Sequence, residues 1–274
     1  MKHSELDKKI KAHMANYKIE ALGVFKDGVW RGNEYGHILP NDKQNLLPMA
    51  EWPNDITHHD GSAHLNSSQA MCVNFFSPLC ADDEGKEILL KIICKVTGFK
   101  FLPNSQIVCC EFEKNPNKTE KTSVDFYIKL DNEQEIFFEI KYSESEFGSA
   151  NSKTTDYSEQ FEKTYKSMCN SSVFLKNISE DFFINHYQIC RNIVLVQNEK
   201  QYACFVYPFV SETLKKKMDD KELEPILKQD KDHVAQLDWV NLCTTAKELT
   251  ENSKDTKYYF HYHLFQQKYI MPLI

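Results

Sequence analysis

Long apolar runs are missing from this sequence of 274 residues. No stretch approaches the roughly 20 apolar residues that a membrane-spanning helix needs. The first residues, "MKHSELDKKIKAHMANYKIEALG", are charged from the start and lack the apolar segment of a signal peptide. These two absences predict a cytoplasmic protein with no membrane partner.

Paired cysteines are missing as well. The nine cysteines are odd in number, irregularly spaced and include no CxxC pair, which argues against a structural zinc site. Several lie in apolar runs, such as Cys94 in "LLKIICKV" and Cys204 in "YACFVYPF". We therefore expect reduced cysteines that act as small apolar side chains.

The sequence has no excess of positive charge and no phosphate-binding loop. Its net charge of −7 argues mildly against a protein that coats nucleic acid non-specifically. A nucleic-acid enzyme is still allowed, because local patches set binding. No Walker A loop and no GxGxxG occurs, so nucleotide hydrolysis coupled to motion is not indicated.

The apolar pattern predicts a mixed α/β protein. Residues 22–62 carry many Gly, Pro and Asn breakers and are predicted to be irregular. Predicted helices cover 1–20, a segment from about 64 that Pro78 ends, 83–97, 155–170 and 180–191. Predicted strands cover 106–113, 122–130, 135–143, 193–197, 202–210 and 233–238. This order indicates a mixed central sheet between helices.

Three charged residues interrupt two strands that otherwise look buried. In "TSVDFYIKLDNEQEIFFEIKYSE", residues 122–144, Asp125 lies in one apolar run, and Glu139 and Lys141 lie in the next. Residues two apart on a strand share a face, so Glu139 and Lys141 point the same way. The turn "LDNEQE" suits a short hairpin, which would bring Asp125 beside Glu139.

Two carboxylates that converge on one point repel each other unless a cation lies between them. A hard divalent ion such as Mg²⁺ takes oxygen ligands and leaves positions for water and a phosphate oxygen. A nearby ammonium can orient or deprotonate that water, or stabilise the charge on the phosphorane. The pattern therefore favours metal-dependent hydrolysis of a phosphodiester over an exposed strand with scattered charges.

These residues resemble the motif of the PD-(D/E)XK nuclease superfamily, in which the Asp and the (D/E)xK lie on adjacent strands of an αβββαβ core. Within it, the chain is similar to a bacterial restriction endonuclease-like family. Four segments match in order: "HLNSSQAMCVNFF" (64–76), "VDFYI" (124–128), "FFEIKYSESEFG" (137–148) and "YQICRNIVLV" (187–196). The resemblance implies a restriction endonuclease-like core at 63–210, with additions at 1–62 and 211–274.

The resemblance also implies roles for single residues. Asp125 and Glu139 would bind Mg²⁺, with Mn²⁺ able to substitute, and Lys141 would be catalytic. Val124 stands where the motif usually has proline. A further acid from the first core helix or the first strand would complete the metal site, and four candidates stay open: Glu84, Glu87, Glu111 and Glu113.

We therefore expect a metal-dependent DNA endonuclease of restriction type that uses a Mg²⁺-activated water. One active site per chain suggests a homodimer for cutting both strands of DNA. One alternative is a DNA repair or recombination nuclease acting on structured or single strands. Another is a catalytically silent nuclease-like module that binds nucleic acid or a protein.

Other polar groups look structural. His58 and His59 in a loop, and His261 and His263 in an HxH, have no further ligands spaced with them. We expect these histidines to be exposed or in the core. The "SSQ" at 67–69 is predicted to cap a helix or to contact DNA or the active-site hairpin.

Overall fold

Seven strands are present in the residues that the computed structural model describes, which are 1–101, 104–116, 123–148, 157–172, 174–229, 232–251 and 256–274. They are β1 (Gly28–Trp30), β2 (Asn33–Tyr35), β3 (Ile107–Lys114), β4 (Val124–Leu130), β5 (Glu135–Ile140), β6 (Gln201–Tyr207) and β7 (Val234–Asp238). The last five form one sheet in chain order. β3, β4 and β5 are antiparallel neighbours, whereas β5, β6 and β7 run parallel.

Helices precede, interrupt and follow this sheet. They are α1 (His3–Glu20), α2 (Ser68–Cys80), α3 (Asp83–Thr97), α4 (Tyr157–Gln160), α5 (Lys166–Ser171), α6 (Glu180–Asn185), α7 (Tyr187–Ile193), α8 (Glu212–Met218), α9 (Glu224–Gln229), α10 (Trp239–Glu251) and α11 (Thr256–Phe265). A π-helical turn, Phe161–Tyr165, joins α4 to α5. The predicted mixed α/β sheet flanked by helices is confirmed.

Apolar side chains cover both faces of the sheet. Strand β6 shows this alternation: Cys204 and Val206 join the cluster formed with α1, α2, α3, α10 and α11, whereas Ala203 and Phe205 join the cluster formed with α5 to α9. A parallel strand buried on both faces reads as an unbroken apolar run. The apolar run "YACFVYPFV" therefore predicts a strand from the sequence alone.

Several predicted elements match the structure closely. Helix α3 has the predicted bounds, because Asp82 caps its first turn by accepting the Gly85 N–H at 2.8 Å and Gly98 ends it in the left-handed conformation. β3 and β4 begin and end within two residues of the prediction. The predicted first residue of β4, 122, and that of the helix at 155–170 lie outside the described residues.

Pro78 does not end α2, contrary to the prediction, and the helix continues to Cys80. A proline inside a helix leaves the carbonyl four residues earlier without its backbone donor. Here that carbonyl belongs to Asn74, and it accepts a hydrogen bond from His261 Nε2 on α11 at 2.7 Å. The first histidine of the HxH is therefore a core residue, as expected, and it satisfies the group that Pro78 leaves free.

The predicted strand at 193–197 is wrong. Helix α7 runs to Ile193, and the next backbone N–H groups bond backward: Val194 to Cys190 O at 2.8 Å and Val196 to Ile193 O at 3.0 Å. The predicted helix at 180–191 is also divided, because His186 leaves the helical conformation between α6 and α7. A short apolar run fits a buried helix as well as a strand.

β5 ends at Ile140, earlier than the predicted residue 143. The Lys141 N–H still donates to Val206 O at 2.8 Å, but the Tyr142 N–H turns to the Glu144 carboxylate at 2.6 Å. Lys141 therefore lies immediately beyond the strand, where the chain leaves the sheet.

The two ends of the chain pack together beside the core. Lys9 Nζ donates to Ile274 O at 2.8 Å, and the apolar cluster around α2 and α3 includes Leu6 and Leu273. The division at residues 62 and 210 stays a prediction. All nine cysteines are free thiols. Within the described ranges, no helix has the length and apolarity to cross a membrane.

The buried His261 predicts a pH-dependent stability. Burial lowers its pKa to about 4, although its bond to the Asn74 carbonyl opposes this. As pH falls from 6.5, the unfolded chain takes up the proton first, so stability present above 6.5 is lost progressively towards pH 4. We expect this one group to contribute a loss of about 3 kcal/mol.

Urea unfolding of the wild-type protein and of His261→Gln, from pH 7.5 to pH 4, measures this loss. The difference in unfolding free energy between the two proteins should shrink towards low pH, because glutamine does not titrate. A difference that stays constant across this range would contradict the assignment.

Candidate active site

Asp125 and Glu139 occupy neighbouring positions where β4 and β5 meet. The last paired residues there are Phe126 and Phe138, so the next position on each strand is Asp125 and Glu139. Asp125 Oδ2 accepts the Ile140 N–H at 2.6 Å, in place of a further backbone ladder bond. The structure thus brings together the two acids that the sequence singled out.

Glu139 is a buried carboxylate, 3% exposed, with donors on both of its oxygens. Lys141 Nζ lies 2.5 Å from Oε1. Asn192 Nδ2 donates to Oε2 at 2.8 Å, and an Arg191 guanidinium nitrogen lies 3.5 Å from the same oxygen. Burying a carboxylate is costly unless its oxygens are hydrogen-bonded and paired with cations, and here α7 and the residue after β5 supply these partners.

Lys141 is fixed at both its backbone and its ammonium group. Its N–H bonds to Val206 of β6, and its carbonyl accepts Trp239 Nε1 at 2.9 Å. Burial by itself would lower the pKa of Lys141, but the charges of Glu139 and Asp125 outweigh burial and raise it. The side chain is therefore held as a cation beside the two carboxylates.

Glu113 is the third acid of this group. It lies opposite Asp125, between the pairs Phe112–Phe126 and Lys114–Val124, with a positive φ of 50°. Its carboxylate accepts Gln69 Nε2 at 3.0 Å and Ser123 Oγ at 2.8 Å. A positive φ is uncommon outside glycine, and here it marks the strand position that supplies a site acid.

The other three candidate acids have partners elsewhere. Glu111 pairs with Lys114 at 2.6 Å and lines a cavity of about 420 Å³. Glu87 pairs with the exposed Lys91, and the charge of Glu84 acts on Tyr258. Among the four acids, Glu113 is the one whose charge bears on Asp125.

Negative charge is in excess around Asp125. Burial raises the pKa of Asp125 well above its usual value, and the charges of Glu139 and Glu113 raise it further, while Lys141 and the Ile140 N–H oppose the rise. A divalent cation would relieve this repulsion.

The donor set fits a hard divalent ion. Asp125 Oδ2 and Glu139 Oε1 each keep a lone pair beyond the hydrogen bond described above, and Mg²⁺ typically takes one or two carboxylates together with water and phosphate oxygens. The carboxylates of Asp125, Glu139 and Glu113 do not offer three ligand atoms that all lie within 4.8 Å of one another. Water and substrate would have to complete the coordination.

A trio of potential ligands that does meet this distance lies at another place in the described part of the chain: His186, Asp220 and Glu222. His186 Nε2 lies 3.3 Å from Glu222 Oε2, and the same cavity is lined by three lysines, Lys216, Lys217 and Lys221. His186 is buried, whereas Asp220 is partly exposed and Glu222 is exposed. We assign no metal role to this group, because the nearby lysines offset the charge of its acids.

The sequence reasoning misses part of this site. It includes Arg191 and Asn192 only as part of "YQICRN", although a charged side chain inside an apolar run is the same signal that singles out Glu139. The helix cap predicted for "SSQ" is confirmed, because Ser67 caps α2 by accepting the Ala70 N–H at 3.2 Å. Gln69 contacts Glu113 on β3 instead of the hairpin of β4 and β5.

A comparison with protein families supports a nuclease-like role. The model of the family described as "Restriction Endonuclease associating with ARP" matches residues 11–270, a range that contains every residue of the site described above. The resemblance to a restriction endonuclease-like family is thereby confirmed. The comparisons with curated proteins and with solved structures give no match.

The buried Glu139 group predicts a large effect on stability. Glu139→Ala should lower the free energy of unfolding by about 3–5 kcal/mol, because it removes the carboxylate that pairs with the Lys141 ammonium at 2.5 Å and accepts from Asn192. Glu139→Gln should cost less, since it keeps an acceptor for Asn192. Urea unfolding at pH 7 measures both changes.

The exposed pair Glu87–Lys91 is the matched control. Glu87→Ala should cost less than about 1 kcal/mol, because solvent screens an exposed pair. Equal costs for Glu139→Ala and Glu87→Ala would contradict the role of burial at Glu139.

Proposed function

We propose that this chain, which belongs to the family of restriction endonucleases associating with ARP, is a metal-dependent endonuclease that hydrolyses phosphodiester bonds of DNA. The observation that carries the proposal is the group of Asp125, Lys141 and the buried Glu139 where β4 begins and β5 ends. A nuclease needs to hold a metal ion and a cation at one point, and this group offers both.

The same geometry supports a restriction endonuclease-like core. Helix α3 precedes the antiparallel strands β3, β4 and β5, and α7 then leads to β6, which lies parallel to β5. This is the αβββαβ order that the resemblance implies. We assign the catalytic core to these elements.

Asp125 and Glu139 would hold Mg²⁺, with Mn²⁺ as a substitute of similar ligand preference. The ion, when bound, would polarise a phosphoryl oxygen and lower the pKa of a bound water. Glu113, which faces Asp125 across β3 and β4, is the further acid that we assign to the site. It would act on the ion through water, because the three carboxylates are not gathered around one point.

Lys141 would stabilise negative charge on the phosphate. One of its N–H groups donates to Glu139, which holds it as an ammonium, so the remaining donors would already be in place for the developing charge. This favours the role of a fixed cation over that of a general base. Its backbone bonds to Val206 and Trp239 keep its Cα in place during the reaction.

Asn192 and Arg191 would position Glu139. Both approach Oε2, whereas Lys141 approaches Oε1. Fixing both oxygens sets the orientation of the carboxylate, and catalytic groups need such support from neighbouring side chains. Helix α7 is therefore part of the catalytic machinery in this proposal.

Plasmid cleavage tests the proposal. The wild-type protein should cut DNA in Mg²⁺ or Mn²⁺ and stop when EDTA removes the metal. Glu139→Gln and Lys141→Ala should each lower the cleavage rate by at least about a hundredfold, as expected when a group that stabilises transition-state charge is lost. Lys91→Ala, which breaks an exposed Lys–Glu pair, should cut like the wild type.

The DNA substrate separates this proposal from its alternatives. Cutting of both strands of duplex DNA supports the restriction-type nuclease, and a homodimer in light scattering would supply the two sites. Cutting confined to flaps or single strands would favour a repair nuclease. Intact DNA across metals and substrates, with binding retained, would indicate a binding module and overturn the proposal.

A further inference from the structure

The loop before α2 reaches the candidate active site. Gln69, in the first turn of α2, accepts the His59 N–H on its Oε1 at 2.9 Å and donates from Nε2 to Thr57 O at 3.1 Å. The same Nε2 donates to Glu113 Oε1 at 3.0 Å. One buried amide thus ties the loop at residues 57–59 to the strand that carries a site acid.

This attachment places the His59 ring at the edge of the site. His59 Nε2 lies 3.5 Å from Glu113 Oε1, and the side chain is 58% exposed. Glu113 in turn faces Asp125 across β3 and β4. One edge of the imidazole therefore faces the carboxylates, while the rest of the ring is open to solvent and to a ligand that approaches from it.

The neighbouring histidine has a different role. His58 Nδ1 lies 2.6 Å from Asp42 Oδ2, and its ring packs against Trp52 with centroids 4.4 Å apart. Asp42 also accepts Ser62 Oγ at 3.2 Å. His58 is thus engaged within the loop region itself, which makes it a natural control for His59.

We propose that His59 contacts the DNA substrate by donating a hydrogen bond to a phosphate oxygen beside the scissile bond, and that Gln69 is the positioning residue that holds it there. This inference rests on the proposed nuclease function. The floor of the site carries three carboxylates, which repel a phosphate, so an exposed donor at the rim helps to hold the backbone.

Nδ1 is the ring nitrogen left for this contact, because Nε2 faces Glu113. A ring that carries its proton on Nδ1 donates that N–H to a phosphate oxygen as a charge-assisted bond. Phosphate contacts of this kind fix the register of a protein on DNA without reading its sequence. His59 would thus orient the phosphodiester toward the carboxylates and Lys141.

DNA binding in a cleavage-deficient background tests this contact separately from catalysis. The probe is a labelled duplex of random sequence, and the parent protein is Glu139→Gln in the presence of Mg²⁺. Adding His59→Ala should weaken binding about tenfold, because a hydrogen bond to a charged group is lost. Adding His58→Ala should change binding less than twofold.

Gln69 is tested through non-additivity. Gln69→Leu should weaken binding about as much as His59→Ala, and the two together should weaken it no further, because both changes remove the same contact. His59→Gln should recover part of the binding, since it restores an N–H donor. Thermal unfolding of each variant checks that the fold is retained.

The outcomes separate this inference from the proposed function. Equal binding by the His59→Ala and His58→Ala variants, or additive losses with Gln69→Leu, would overturn it, as would a parent protein that binds no DNA. If the wild type cuts no DNA but His59→Ala still weakens binding as expected, the contact stands and the catalytic proposal fails. If the wild type cuts DNA but His59→Ala leaves binding unchanged, the catalytic proposal stands and the contact is refuted.

Discussion

The burial of one carboxylate, Glu139, constrains the architecture around the candidate site. A carboxylate withdrawn from water loses far more solvation free energy than a single hydrogen bond returns. Both Glu139 oxygens are therefore engaged, Oε1 by Lys141 and Oε2 by Asn192 and Arg191. Lys141 directly follows β5, whereas Asn192 and Arg191 lie on α7. The helix therefore has to pack beside the end of β5 that carries Glu139.

This constraint explains why the strand predicted at 193–197 is wrong. Its residues are apolar enough for a buried strand, and period alone does not separate a short strand from a buried helical turn. The residue before this run favours the helix. Asn192 donates to Glu139 and also to Gln188 O, one helical turn earlier, at 2.9 Å. Helix α7, which holds Asn192 at the carboxylate, continues to Ile193, and β6 is the strand that pairs with β5.

The parts of the fold that the sequence predicts well are those with local causes. Helix α3 has its cap, its acidic first turn and its left-handed end within its own segment. The hairpin of β4 and β5 follows from alternation and a short turn, and this is enough to place Asp125 beside Glu139. By contrast, the carbonyl freed by Pro78 is satisfied by His261, 187 residues from Asn74. A local sequence pattern does not indicate a hydrogen-bond partner so far along the chain.

Glu113 connects the segment at residues 22–62 to the candidate active site. Its carboxylate faces Asp125 on one side, and on the other it meets Gln69 and His59. Negative charge is in excess there, so the donors that surround Glu113 stabilise the arrangement as well as holding the loop. The sequence predicts only that residues 22–62 are irregular, because glycines and prolines indicate the positions of turns. They do not indicate which part of the protein the segment packs against. In the folded protein, a buried amide at the start of α2 fixes the end of that segment against the acid, and the loop becomes one wall of the candidate active site.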